Sequence, residues 1–96
     1  MSLDQLREEY EQATYRLANS HRELGQLLSA EKSAKVLSYG RSMAKTLGER
    51  ENEGAINALN ITEDIFKVRA EIEATKARLD YLGVAIQMAI QIATRE

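Results

Sequence analysis

Few residues in this chain are of types that could do chemistry. His21 is the only histidine, and there is no cysteine. A di-iron centre in a helical bundle needs glutamate three residues before its histidine, and position 18 is alanine. No zincin pattern surrounds His21, which reads as a surface or seam-edge side chain. Without cysteine there are no disulfides, thiolate nucleophiles or Cys-based zinc sites. Carboxylates are plentiful, but acid–base work needs two of them in environments that push their pKa values apart. Glu8 and Glu11, and Glu71 and Glu73, fall on charged helix faces with no sign of a desolvated pocket. Ser29, Ser33, Ser38 and Ser42 form a polar track, yet no nucleophile elbow surrounds any of them. Gly48 and Gly54 are not followed by the Lys-Ser or Lys-Thr of a phosphate loop. The sequence therefore offers no catalytic, cofactor-binding or metal-ligating residue, and reads as that of a protein that is not an enzyme.

Charge is distributed more tellingly. Residues 1–31 carry net −3, residues 32–50 net +4 and residues 51–96 net −3. Lys32, Lys35, Arg41, Lys45 and Arg50, with Tyr39 among them, make a basic segment that could face an acidic partner or nucleic-acid phosphates. Cations near a helix C-terminus also complement the helix dipole and pair with acidic neighbours. A dedicated nucleic-acid binder carries a clear basic excess, whereas this chain is net −2. A protein partner is the favoured reading of Lys32, Lys35, Tyr39, Arg41, Lys45 and Arg50, and nucleic acid the alternative.

The elements that hold these residues are helices. The 96 residues include no proline and only five aromatic side chains, Tyr10, Tyr15, Tyr39, Phe66 and Tyr81. Lack of proline permits long uninterrupted helices, and the Leu, Ile and Ala content suits helix-on-helix packing. Ser2 and Gln5 form a capping-box pattern. From there Leu3, Leu6, Tyr10, Ala13, Leu17, Ser20, Leu24 and Leu27 recur at alternating +3 and +4 steps, the heptad seam of a coiled coil. After Leu28 the apolar pattern shifts to Ala30, Ala34, Leu37, Gly40, Ala44 and Leu47, which predicts a slip of register. Gly25 and Gly40 inside the pattern suggest close helix approach. Gly48 to Gly54 is a charged turn and 55–60 a short helical turn. Asn60 or Thr62 is then positioned to cap a helix over about 61–94. Its seam is Ile65, Val68, Ile72, Thr75, Leu79, Leu82, Ile86, Ala89 and Ala93. From Tyr81 the apolar face widens to Val84, Ala85, Met88, Ile90 and Ile92, more than a two-helix seam needs.

The pattern predicts one all-α domain, a long antiparallel helical hairpin with helices over about 2–47 and 61–94. At about 1.5 Å per residue the first helix is longer than the second. A reversal at 48–60 leaves Leu3, Leu6 and Tyr10 projecting beyond the last helix. Those residues, with Leu82, Ile86, Met88 and Ile90, are the expected self-association surface, closing a homodimeric four-helix bundle. Residues 81–94 lack charge but fall short of the ~20 residues that span a bilayer, and Met1-Ser2-Leu3-Asp4 does not open a signal peptide. A cytoplasmic location is the corresponding expectation.

The succession of Tyr10 to Lys32, the glycine-punctuated charged turn at 48–54 and the Phe66 to Ile92 helix with its Ile-rich tail resembles a group of small helical proteins encoded by bacteriophages and prophages. The resemblance covers most of the chain. It implies an early phage product acting in the host cytoplasm on a host or phage partner, near recombination or host takeover, and it carries over no catalytic residue. Secreted helical hairpins of about this length carry Trp-x-Gly at their turn, and this chain has no tryptophan. The functional expectation is a non-enzymatic protein–protein interaction module. The alternatives are a nucleic-acid-binding accessory of phage recombination and a structural or assembly component.

Overall fold

The structure is a computed structural model. It describes residues 1–41, 48–49, 54–56 and 58–95, with side chains at all of these except 38–41. The fold is all-α, an antiparallel hairpin of two long helices, α1 (Leu3–Arg41) and α2 (Leu59–Arg95). No strand occurs among the described residues. Gly48–Glu49 and Gly54–Ile56 are helical too, although 48–54 reads as a turn. Neither glycine adopts the left-handed conformation of a helix stop. The expected helix at 42–47 and the turn residues 50–53 lie outside the described residues.

The capping box forms as its residues dictate. Ser2 N donates to Gln5 Oε1 at 2.9 Å, and Gln5 N donates to Ser2 Oγ at 3.2 Å. Two otherwise orphaned donors at the start of α1 are thereby satisfied reciprocally. The second expected cap does not form. Ala58 N donates to Gly54 O at 3.1 Å and Thr62 N to Ala58 O at 2.9 Å, so helical bonding already runs through this region. Asn60 and Thr62 lie inside α2, and Thr62 is free to use its hydroxyl elsewhere.

The chain forms two compact units, Met1–His21 with Ala70–Glu96, and Arg22–Arg69. In the first, α1 and α2 run antiparallel, with Glu9 beside Arg78. Its core is Leu6, Ala13 and Leu82, against which Leu79, Ala85, Ile86 and Ala89 pack. Leu82 is completely buried and Leu6 only 6% exposed. Burial of Leu6 corrects the expectation that Leu3, Leu6 and Tyr10 project beyond α2. Leu3 is half-buried, and Tyr10 alone of the three is exposed. Ser20 and Thr75 are buried in the same unit, and the Thr75 hydroxyl donates to the carbonyl of Glu71 at 2.8 Å. No buried side-chain polar atom among the described residues lacks a partner, as a stable helix interface requires.

In the second unit, Ala58, Ile65 and Val68 supply the buried apolar surface from α2 and the residues before it. Gly54 packs against the backbone of Lys35, where an added Cβ would lie 3.4 Å from the Lys35 carbonyl oxygen. Thr62 meets Glu31. In this unit the returning chain therefore comes alongside α1 near Lys35 and Glu31. Among the described residues the slip of register after Leu28 does not appear, and its later positions Gly40, Ala44 and Leu47 lie outside the described side chains. The half-buried positions after Leu27 are Glu31 and Ala34, which continue the +4 and +3 steps. Ala30 and Leu37 point outward and are exposed. Gly25 has nothing within 4 Å of where a Cβ would stand, so close helix approach does not account for it.

Candidate interaction surface

Most of the apolar surface left uncovered in the first unit is on α2. The seam of α2 predicted from spacing is buried or half-buried from Ile65 to Ala89, and Ala93 is exposed. Beside it runs a second stripe, Tyr81, Ala85, Met88 and Ile92, again stepping by four, three and four residues. That spacing holds residues on one helix face. Tyr81, Met88 and Ile92 are exposed and Ala85 is half-buried against the core. Val84 and Met1 extend this apolar surface into a shallow groove on the α1–α2 pair. A helix that buries one heptad seam and exposes a second presents two faces to neighbours, which is the pattern of helices in bundles of more than two.

One end of the stripe is positioned by a polar cluster. Arg78 Nη2 donates to Glu9 Oε2 at 2.7 Å across the two helices. The same guanidinium stands 5.1 Å from the centroid of the Tyr81 ring, within cation–π range. The ion pair is half exposed, so it contributes on the order of 0.2–1 kcal/mol to stability. It also sets a cation beside the ring of Tyr81, the first residue of the stripe.

The remaining self-association candidates divide by depth. Leu6 and Leu82 are buried within the unit and Ile86 packs half-buried against them, so these three act as core, while Leu3 is half-buried. Tyr10, Met88 and Ile90 are exposed. The sequence pattern signalled the widening of the α2 apolar face but not which of its residues the first turns of α1 would cover.

The basic segment is described only in part. Lys32 and Lys35 are exposed on α1. Lys45 and Arg50 lie outside the described residues, as do the side chains of Tyr39 and Arg41. Lys35 pairs with Glu31 at 3.7 Å. Thr62 Oγ1 donates to Glu31 Oε2 at 2.6 Å and also lies 3.1 Å from the carbonyl oxygen of Ala58. The hydrogen bond from Thr62, aided by the charges of Lys35 and Arg69, holds the Glu31 carboxyl below its ordinary pKa, with partial burial pulling the other way. Glu31 therefore acts as a polar rung of the helix seam, and one of the six basic-segment candidates is spent on it. Val36 and Leu37 lie exposed beside Lys32 and Ser33.

His21 is exposed, as are Glu8, Glu11, Glu71 and Glu73. No group of three or more His, Asp or Glu side chains gathers in metal-binding proximity among the described residues. No helix among them is long and apolar enough to cross a membrane. Comparison with protein-family models, characterised proteins and solved structures finds no match to this chain.

Proposed function

We propose that this protein is a non-enzymatic interaction module that self-associates through the exposed face of α2. The observation that carries the reading is the second stripe, Tyr81, Ala85, Met88 and Ile92, complete in its spacing and left open beside a seam that is already filled. Apolar side chains at such spacing gain most by burial against another helix face, because the hydrophobic effect is proportional to the apolar area withdrawn from water. Residues 81–94 carry no charge, so the stripe itself brings no ionised side chain into the contact, and the Arg78 guanidinium beside Tyr81 is already paired with Glu9. Lys32 is exposed on α1 and is the basic residue offered to a further protein partner. The reading is of a protein that works through surfaces in the cytoplasm rather than through a pocket.

The test is substitution on the stripe. Met88 is 57% exposed, so Met88→Glu is tolerated by the folded chain yet places a charge at the centre of the proposed contact. Sedimentation equilibrium should return an assembly for the native chain and a monomer for Met88→Glu. Phe66→Glu, on an equally exposed apolar residue away from the stripe, should leave the assembly unchanged. Equal effects of the two substitutions, or none from Met88→Glu, would contradict the assignment.

A further inference from the structure

We propose that the face takes a second copy of the chain end for end, α2 against α2 antiparallel, with the two-fold axis crossing between Ile86 and Gln87. This inference rests on the self-association proposed above and adds its geometry. The steps between positions 81, 85, 88 and 92 are four, three and four, a spacing that is the same read in either direction. Turned end for end, the stripe meets itself in register, with Tyr81 facing Ile92 of the second copy and Ala85 facing Met88 of the second copy. A contact of this kind is isologous and closes at two copies.

Side-chain size selects this order over the parallel one. In parallel register Ala85 faces its own copy and leaves a gap, while Met88 faces Met88 and crowds it. In antiparallel register the small residue receives the large one twice, once on each side of the axis, which is how well-packed layers interdigitate. Area is sufficient. Met1, Tyr81, Val84, Met88 and Ile92 are between 57% and 74% exposed. At on the order of 100 Å² uncovered for each, they offer roughly 500 Å² per copy and about 1,000 Å² for a pair, the lower bound for a specific interface. No charged residue lies between Tyr81 and Thr94; the same register sets Arg78 opposite Arg95 of the second copy at each end, where the ion pair of Arg78 with Glu9 offsets the repulsion.

The chain has no native cysteine, so single cysteines report the order directly. Tyr81→Cys and Ile92→Cys replace exposed residues, and the two positions stand eleven residues apart. That is about 16 Å of helix, beyond the ~7 Å Cα separation a disulfide can bridge. Under mild oxidation, a mixture of the two variants should form the disulfide-linked Tyr81→Cys/Ile92→Cys pair, and neither variant alone should cross-link to itself. Self-cross-linking of each variant alone would overturn the antiparallel order while leaving self-association standing. A dimer by mass that cross-links in no sample would place the contact elsewhere and overturn the inference as well. A native chain that is monomeric by mass would instead remove the reading on which the inference rests.

Discussion

Leu82 is the completely buried large side chain of the first unit, and Leu82→Ala measures how much the α1–α2 contact depends on it. The substitution deletes three buried carbons, about 2.4 kcal/mol at ~0.8 kcal/mol per methylene. A cavity term adds to this wherever neighbours cannot collapse into the space. Three of those neighbours, Ala13, Ala85 and Ala89, are too short to fill it, while Leu6, Leu79 and Ile86 can relax part-way. The expected loss is therefore about 3 kcal/mol, a large share of the ~5–15 kcal/mol that holds a domain folded. Urea unfolding followed by far-ultraviolet circular dichroism, at one fixed protein concentration because association adds to apparent stability, reads the change in midpoint. Phe66→Ala is the contrast: a larger side chain, but 65% exposed, so its removal should change stability by no more than about 0.5 kcal/mol. A Leu82→Ala loss below about 1 kcal/mol, or a Phe66→Ala loss equal to it, would show that the helices do not pack as described. Leu82→Asp should prevent stable folding, because a buried unpaired charge is far costlier than a cavity.

Gly25→Ala should stabilise the chain by about 0.5–1 kcal/mol, since Gly25 lies in the interior of α1 with open space where the Cβ would go; a lower melting temperature would mean that something packs there. The Glu31 carboxylate is favoured in the folded state, so its contribution to stability is complete above its ordinary pKa of 4.5 and is lost as the pH falls through the lower folded value. Glu31→Gln should therefore be less stable than the native chain at neutral pH and lose less on acidification, in paired urea titrations across that range, and identical pH profiles would refute the role given to Thr62 and Lys35.

Much of this fold is legible in the residues because heptad spacing is a direct record of burial. The α2 seam follows from Ile65, Val68, Ile72 and Leu82 alone, and the Ser2–Gln5 cap from two residue types three apart. The continuation of the α1 seam is not legible, since it passes through Glu31. A charged residue does not register as a seam position until Thr62, thirty-one residues away, is seen to satisfy it. The apolar residues that spacing offers instead, Ala30 and Leu37, face outward. The burial of Leu6 is illegible for a related reason. Helix lengths leave Leu6 beyond the end of α2, and only its packing with Leu82 shows that it is covered. The candidate surface was half legible: the charge-free widening after Tyr81 stands in the sequence, but only the packing separates Leu82 and Ile86, which support it, from Met88 and Ile92, which form it.

The most direct test of self-association through the second α2 stripe is the solution mass of the native chain, measured by light scattering during size exclusion at low salt and at ~0.5 M salt, where exposed charges are screened. The account predicts twice 10.8 kDa at both, because the contact is apolar. A mass of 10.8 kDa at both, at concentrations where a stable interface of this size should form, would contradict it.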